Sequence, residues 1–235
     1  AQSLVGEEQP ATVRGAAAVV MRSYSPDKDS ENPPQVPALL AGLGDGKHVE
    51  IRRLCARSIA YNEIAEGIPA LIKTLEVENE SLRDTVIDAL ADFEDAATDA
   101  IPGLLKIAKN PKATNRTDAI FAIGRIGTQH EITMPALTAL LSDESEYVRN
   151  QAVTAIADVV VTNDLDASSV IPKIVARMQK EEEGYEKRSY ISALGEMGPK
   201  SAGTVNYLIP LLDDEYVNDD AAMALGAIGP DAKAA

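Results

Sequence analysis

Apolar residues along the chain recur at helical spacing within short segments that polar turns separate. In residues 68–75, for example, Ile68, Leu71, Ile72 and Leu75 fall on one face of a helix. A proline stands near the start of this segment, where its missing N–H costs no hydrogen bond. A polar turn and a second apolar segment, 81–93, follow. The pattern predicts two helices joined by a short turn.

This two-helix pattern is repeated along almost the whole chain. Prolines that open the first helix, Pro37, Pro69, Pro102, Pro135 and Pro172, lie 32, 33, 33 and 37 residues apart. A fixed period of this length is typical of solenoids, in which each unit buries its apolar face only by stacking on the next. The second-helix segment occurs seven times, in residues 12–21, 50–62, 81–93, 114–127, 147–159, 185–198 and 216–229.

The repeated residues resemble those of HEAT repeats, in particular the short PBS-lyase-type HEAT-like repeats. The resemblance lies in "IPALIKTL" (68–75), "DESEYVRNQAVTAI" (143–156), "ALGEMGPKS" (193–201) and "ALGAIGPDAKAA" (224–235), and it extends over roughly residues 10–235. It implies an all-α fold, a right-handed α-solenoid (α-α superhelix) of about six HEAT-like helical pairs. We expect a single repeat domain over residues 1–235, with incomplete first and last units and a polar insertion at 23–35.

Composition and charge narrow the classes of partner. The net charge is −15, and nucleic-acid affinity depends on lysine and arginine neutralising phosphates, so we expect no nucleic-acid partner. No apolar run approaches the length of a membrane span, and we expect no membrane insertion. Cys55 is the single cysteine, so no intrachain disulfide is possible. The first residues leave a secreted or periplasmic and a cytoplasmic location equally open.

Arginine recurs at the second place of the second helix. The resemblance implies that such an arginine pairs with an aspartate or asparagine of the turn before it and so ties neighbouring repeats into a ladder. Asp143 lies six residues before Arg149, and Asn110 lies six residues before Arg116. We therefore predict a partial structural ladder that involves Arg83, Asn110, Arg116, Asp143 and Arg149.

A further set of positions on the second helices should face the inner, concave side of the solenoid. Positions 3, 7 and 11 of the motif share one helix face, opposite the apolar residues. This face carries mixed charges together with Phe121 and Met223, two apolar side chains suited to anchor a partner. The predicted partner-binding groove consists of Arg53, Arg57, Tyr61, Asp84, Asp88, Asp92, Phe121, Arg125, Asp158, Arg188, Glu196 and Met223.

Three tyrosines, Tyr147, Tyr185 and Tyr216, recur at the turn before the second helix, beside acidic residues. Two interpretations are open. The tyrosines line one edge of the solenoid, or each ring packs on the neighbouring repeat with its hydroxyl in water. We expect the second arrangement.

The sequence contains no constellation that is typical of an active site. His48 and His130 lie in different repeats, a single thiol cannot build a zinc site, and no glycine-rich phosphate loop is present. HEAT-like hydroxylases of the deoxyhypusine type hold iron through several His–Glu pairs, whereas this chain has one, His130-Glu131. We predict no metal and no cofactor.

The chain is therefore predicted to be a non-enzymatic scaffold that binds a protein or peptide through its concave face. Other domains of a longer chain are possible partners of its two ends. One alternative is a bilin lyase or chaperone-like protein that acts on a tetrapyrrole-bearing partner. A third interpretation is a structural spacer without a ligand in the groove.

Overall fold

The computed structural model describes residues 36–232, apart from the side chain of Asp231. The first copy of the second-helix segment, 12–21, and the polar insertion, 23–35, lie outside the described residues. The α-helices are α1 (Val36–Leu43), α2 (Val49–Tyr61), α3 (Ile68–Thr74), α4 (Glu80–Ala91), α5 (Ile101–Ala108), α6 (Arg116–Ile126), α7 (His130–Leu140), α8 (Glu146–Thr162), α9 (Ile171–Met178), α10 (Arg188–Glu196), α11 (Val205–Leu208) and α12 (Asn218–Ile228).

These helices form six successive pairs, α1/α2 to α11/α12. Short 3-10 helices, Ala65–Gly67, Glu94–Ala100 and Gly198–Thr204, lead into α3, α5 and α11, and Gly184–Lys187 leads into α10. Residues 36–232 contain no β-strand. The prediction of an all-α chain built from about six helical pairs is therefore confirmed. Within the same residues, no helix combines the length and the apolar character needed to cross a membrane.

The chain divides into two compact units, Ala1–Ala122 (unit 1) and Ile123–Ala235 (unit 2), of which residues 36–122 and 123–232 are described. The boundary between the units falls inside α6. The expectation that residues 1–235 form one continuous domain stays a prediction.

In unit 1, the second helices α2 and α4 pack on each other, and each also packs on the first helix of its own pair. Leu39, Ile59, Leu82 and Leu90 are fully buried between these helices. Burying a leucine or isoleucine side chain stabilises a fold by about 1.5–3 kcal/mol, so this repeated apolar set holds the pairs together. Helix α4 begins after Asn79, whose side chain accepts a hydrogen bond from the backbone N–H of Leu82 at 2.9 Å.

In unit 2, α10 packs between α8 and α12, so three second helices lie side by side. Small residues allow these helices to approach closely. A Cβ atom on Gly124 would lie 3.0 Å from Cα of Ala155, and one on Gly195 would lie 3.0 Å from Cα of Ala224. Both internal glycines therefore lie in close contact with a neighbouring helix. At Gly226, by contrast, a Cβ atom would meet no described atom within 4 Å.

Prolines open three of the first helices as the repeat predicts. Pro69, Pro102 and Pro172 occupy the first turn of α3, α5 and α9. Pro135 differs, because α7 already begins at His130 and the proline lies inside the helix. The residues before Pro69 and Pro102 form 3-10 turns, whereas those before Pro135 are α-helical. The missing N–H of Pro135 therefore removes one intrahelical bond.

Candidate functional site

The arginine at the second place of the second helix bonds to the end of the first helix in its own pair. Arg52 Nε donates to the carbonyl oxygen of Leu43 at 2.8 Å, and Arg116 Nε donates to that of Ala108 at 2.9 Å. The last carbonyls of a helix have no intrahelical donor, and cations are favourable there. This arginine therefore clamps the two helices of a pair together.

In unit 1, Arg83 extends this clamp to the next repeat. Its Nε donates to the carbonyl oxygen of Leu75 at 3.3 Å, and its Nη1 donates to Asn115 Oδ1 at 3.0 Å. The Asn115 side chain is buried and donates in turn to the carboxylate of Asp84. One asparagine thus connects two side chains of α4 to the turn before α6.

In unit 2, Arg149 occupies the same place in its repeat but meets a carboxylate. Arg149 Nε and Nη2 donate to the two oxygens of Glu181 at 3.0 and 3.1 Å. Arg177 Nε and the hydroxyl of Tyr190 donate to Glu181 Oε1 at 3.0 and 2.9 Å. Arg149 also donates to the backbone carbonyl of Asp143, at 3.1 Å. We call Arg149, Arg177, Glu181 and Tyr190 the glutamate network.

The ionisation of the glutamate network follows from its burial and its hydrogen bonds. Burial alone would raise the pKa of Glu181, but the hydrogen bonds from Arg149, Tyr190 and Arg177 outweigh it and hold the pKa below its usual value. Burial and the adjacent Glu181 carboxylate raise the pKa of Tyr190 to about 12, so its hydroxyl stays protonated. A buried ion pair in this state ties α8 to the turn before α10.

The partners Asn115 and Glu181 were not predicted from the sequence. Each lies 32 residues after its arginine, which is one repeat further along the chain. The sequence prediction looked for a partner six residues before the arginine, within the same repeat. Asn110, one of the residues predicted there, accepts from the backbone N–H of Lys112 at 3.1 Å. The period of the repeat is the signal that could have identified Asn115 and Glu181 as further partners.

Five predicted groove residues of unit 1 and one further carboxylate form one surface, which we call the aspartate face: Arg57 and Tyr61 on α2, Asp84 and Asp88 on α4, Asp92 directly after α4, and Asp118 on α6. Four of these, Arg57, Tyr61, Asp88 and Asp92, line a cleft of about 210 Å³. Asp118 was not among the predicted groove residues, although it lies one helical turn before the exposed Phe121.

The carboxylates of the aspartate face repel one another. Burial first, and then the charges of Asp84 and Asp92, raise the pKa of Asp88, while Arg57 opposes the shift. Burial, Asp84 and Asp88 raise the pKa of Asp118. The hydrogen bond from Asn115 to Asp84 joins α4 to the turn before α6, which brings Asp84 and Asp88 within electrostatic range of Asp118. This surface carries more negative charge than its own cations offset.

Arg53, also predicted for the groove, is engaged within unit 1. Its Nε donates to Thr85 Oγ1 of the next repeat at 3.2 Å, and its Nη1 donates to both carboxylate oxygens of Glu50 at 3.2 Å. Arg53 therefore contributes to the contact between repeats.

The predicted groove residues of unit 2 lie on the second helices as expected, but several have partners inside the unit. Burial raises the pKa of Asp158, and Arg125 opposes the shift. Arg188 Nε donates to Asp220 Oδ2 at 2.9 Å. Glu196 accepts a hydrogen bond from Ser192 at 3.2 Å. Met223 is 67% exposed and remains open to solvent.

The three recurrent tyrosines lie in unit 2 at the start of its second helices. Tyr147 is 77% exposed, and Tyr185 and Tyr216 are each 55% exposed. This exposure is larger than rings packed on a neighbouring repeat would show, so the interpretation that these residues line an edge is the better one. We call Tyr147, Tyr185 and Tyr216, with the acidic turns around them, the tyrosine edge.

The remaining reactive side chains have structural environments. Cys55 is fully buried, and burial together with Asp45 raises the pKa of its thiol to about 12, so the thiolate is not available. His48 Nδ1 lies 3.1 Å from Asp45 Oδ2 at the start of α2. Within residues 36–232, no group of three or more histidine, cysteine, aspartate or glutamate side chains is arranged to hold a metal ion.

Each unit also has a larger cleft beside its first helices. In unit 1, a cleft of about 650 Å³ is lined mainly by α3 and α5, with charged side chains such as Lys73, Glu76 and Lys106. In unit 2, a cleft of about 530 Å³ lies beside α9, with Tyr207 and Lys200 on its wall. Lys200 Nζ donates to Asp164 at 2.6 Å, so this cation is paired.

Comparisons with known proteins agree with this architecture. The family model for HEAT repeats matches residues 36–124 and 101–170, which together exceed half of the chain. No curated protein sequence gives a match.

Three solved structures share the fold. An engineered protein is similar over 82% of this chain and 96% of its own, with 18% identity and a TM-score of 0.59. The structure of the complex of CpcE and CpcF of phycocyanin lyase from Nostoc sp. PCC7120 is similar over 98% of this chain and 89% of the matched chain. The identity is 17% and the TM-score is 0.53. Kap121p bound to Nup53p is similar over 92% of this chain, with 12% identity and a TM-score of 0.64.

The chain spans 28% of the length of Kap121p. At these identities the likenesses show the fold alone, and that fold is compatible with protein binding. The predicted fold class, an α-solenoid of HEAT-like helical pairs, is confirmed, and the chain belongs to the HEAT-repeat family.

Proposed function

We propose that the chain is a non-enzymatic scaffold that binds a protein or peptide through the exposed face of its second helices. The observation that carries this proposal is the aspartate face, where burial and mutual repulsion raise the pKa of Asp88 and of Asp118. A protein gains no stability from holding carboxylates against one another. Such a cluster is instead typical of a surface that a partner completes.

The chemistry of the aspartate face defines the segment that it would bind. A lysine or arginine placed between Asp88, Asp92 and Asp118 would offset charges that Arg57 offsets only in part. Apolar side chains of the partner would contact the exposed rings of Tyr61 and Phe121. Tyrosine and phenylalanine are enriched at protein–protein interfaces relative to the rest of a protein surface. The preferred partner is therefore a segment that combines basic and apolar residues.

The test compares the wild-type chain with the triple variant Asp88→Asn, Asp92→Asn, Asp118→Asn. Asp84 is left unchanged, because its carboxylate accepts the structural hydrogen bond from Asn115. Each protein is immobilised and exposed to a native extract, and the captured proteins are eluted with salt and identified by mass spectrometry. We expect a salt-sensitive partner that the wild type retains and the triple variant loses, with no fall in melting temperature.

A matched control changes exposed Asp99, which lies outside the aspartate face, to asparagine. A partner that all three proteins retain equally contradicts the assignment of the binding face. If the folded wild-type chain captures no specific protein, the result favours the interpretation that the chain is a structural spacer.

A second candidate function, lyase- or chaperone-like action on a tetrapyrrole-bearing partner, is supported by one observation. The chain is similar over nearly its full length to the CpcE–CpcF complex of phycocyanin lyase. Incubation with a bilin, followed by an absorbance scan, separates the two candidates. A shifted bilin spectrum that requires the folded chain would favour the second candidate, and an unchanged spectrum would favour the scaffold.

A further inference from the structure

The three tyrosines of the tyrosine edge form one continuous row in unit 2. Arg149 donates to the backbone carbonyls of Asp143 and Glu144 and also to Glu181, so it joins the turn before Tyr147 to the turn before Tyr185. A Cβ atom on Gly184, next to Tyr185, would lie 2.9 Å from Cβ of Tyr216. Each tyrosine is therefore adjacent to the turn that carries the next one.

Hydrogen bonds hold this row in place. The glutamate network ties the start of α8 to the turn before α10. Arg188 Nη2 donates to the carbonyl oxygen of Tyr216 at 3.0 Å, and Arg188 Nε donates to Asp220. The backbone N–H of Tyr216 donates to Asp214 Oδ1 at 3.0 Å. Ordered backbone beneath exposed rings lowers the entropy lost when a partner binds.

The tyrosine edge is strongly acidic. The turns 143–147, 181–187 and 213–216 contain ten carboxylates and one lysine, Lys187. Three nearby arginines are already bonded, Arg149 and Arg177 to Glu181 and Arg188 to Asp220. Exposed carboxylates such as Glu183 and Glu215 therefore surround the rings with uncompensated negative charge.

We propose that the tyrosine edge is a second docking surface, which binds an extended segment rich in arginine and lysine. Cations are attracted to the face of a tyrosine ring, and flanking carboxylates strengthen that attraction. The exposed rings supply the contact area, and the acidic turns select a partner of positive charge. This surface lies in unit 2 and is independent of the aspartate face in unit 1.

The repeat also defines the spacing of basic residues in the segment. Packed helices lie about 8–10 Å apart, so successive tyrosines recur at roughly this interval. A segment in the polyproline II conformation advances about 3.1 Å per residue with three residues per turn, so side chains three positions apart lie on the same side and about one interval from each other. A segment with a basic residue at every third position matches the row, whereas one with adjacent basic residues does not.

The experiment measures binding of two fluorescein-labelled peptides by anisotropy at low ionic strength. One has the sequence Arg-Gly-Ser-Arg-Gly-Ser-Arg, and the other has the same composition with its three arginines adjacent. The wild type is compared with a triple alanine variant and a triple phenylalanine variant at Tyr147, Tyr185 and Tyr216. Tyr207→Ala is the matched control, because Tyr207 is an exposed tyrosine of unit 2 outside the edge.

We expect the spaced peptide to bind the wild type more tightly than its clustered isomer. The alanine variant should lose at least about ten-fold in affinity, since three exposed cation–π contacts are removed while the net charge is unchanged. The phenylalanine variant and Tyr207→Ala should bind like the wild type, with circular dichroism confirming that all variants are folded. Equal binding of both peptides, undiminished binding by the alanine variant, or no binding by the wild type would each overturn the proposal.

Discussion

The link between neighbouring repeats is built differently in the two units. In unit 1, Arg83 reaches the neutral amide of Asn115, which itself donates to Asp84. In unit 2, Arg149 reaches the carboxylate of Glu181, which is 5% exposed. Both partners lie 32 residues ahead. The period of a solenoid therefore determines where repeats meet, while the chemistry of the meeting point varies.

This difference affects the surface that each unit presents. In unit 2, the carboxylate of Glu181 is buried and accepts hydrogen bonds from Arg149, Arg177 and Tyr190. Unit 1 uses an amide for the link and leaves Asp88 and Asp118 on its face, where their pKa values are raised. The link in unit 2 supports the tyrosine edge, and the link in unit 1 supports the aspartate face.

The largest effect is expected when Glu181 is replaced by alanine. The change leaves the buried Arg149 without its carboxylate and the buried hydroxyl of Tyr190 without its acceptor. Removing one partner of a buried ion pair costs about 3–5 kcal/mol, and we expect the free energy of unfolding to fall by this amount. Because the chain has no tryptophan, urea unfolding is followed by far-UV circular dichroism.

The control for this change is the triple variant Arg149→Met, Glu181→Leu, Tyr190→Phe, which removes the buried ion pair together with the buried hydroxyl and leaves only the partly exposed Arg177. We expect it to recover most of the lost stability, since apolar replacements of buried pairs are often neutral. Hydrogen exchange should locate the loss in α8 and α10 and leave α2 and α4 protected, because repeats contact only their neighbours. A loss below about 1 kcal/mol would show that water reaches Arg149.

A smaller effect is expected for Asn115→Ala in unit 1. The variant loses two side-chain hydrogen bonds to charged groups, but Arg83 keeps its bonds to the carbonyls of Leu75 and Val77. We expect a loss of about 1–3 kcal/mol, with reduced exchange protection confined to unit 1. Asn115→Asp is the sharper variant, because it keeps an acceptor for Arg83 but repels Asp84. Equal stability of Asn115→Asp and the wild type would contradict the bridging role.

Most of the fold was predictable from the sequence, because the prolines and apolar positions repeat with a constant period. The solvent-facing positions of the second helices followed from helical geometry. The links between repeats were not predictable in the same way. Asn115 and Glu181 are different residue types, and they correspond only in lying one full repeat after their arginines. The sequence predicted that Pro135 stands at the start of a helix. It lies inside α7 instead, because the residues before it are α-helical, unlike those before Pro69 and Pro102.

The two units should also respond oppositely to acid. Glu181 has a lowered pKa, so its stabilising effect is present above its unfolded pKa and is lost as the pH falls through the folded pKa. Asp88 and Asp118 have raised pKa values, so their stabilising effect is present at low pH and is lost as the pH rises through the folded pKa. Moderate acid should therefore increase exchange protection in unit 1 before it reduces protection in unit 2.

Asp158 complicates this measurement, because its pKa is also raised and it lies in unit 2. The pH series is therefore recorded in an Asp158→Asn background as well. Protection in unit 1 that falls steadily from neutral pH downward would contradict the repulsion within the aspartate face.

The smallest effect is expected for Asp118→Asn at neutral pH, and its sign is what matters. The change relieves repulsion from Asp84 and Asp88, and interactions between partly exposed charges contribute about 0.2–1 kcal/mol, so stability should rise by about this amount. The gain should disappear as the pH falls and the wild-type carboxyl becomes protonated. Asp99→Asn, outside the aspartate face, should change stability less.

A variant that is more stable yet binds its partner less tightly would show that Asp118 serves binding at the expense of stability, as functional residues commonly do. A stability loss at Asp118→Asn would instead place this carboxylate among the structural contacts of α6.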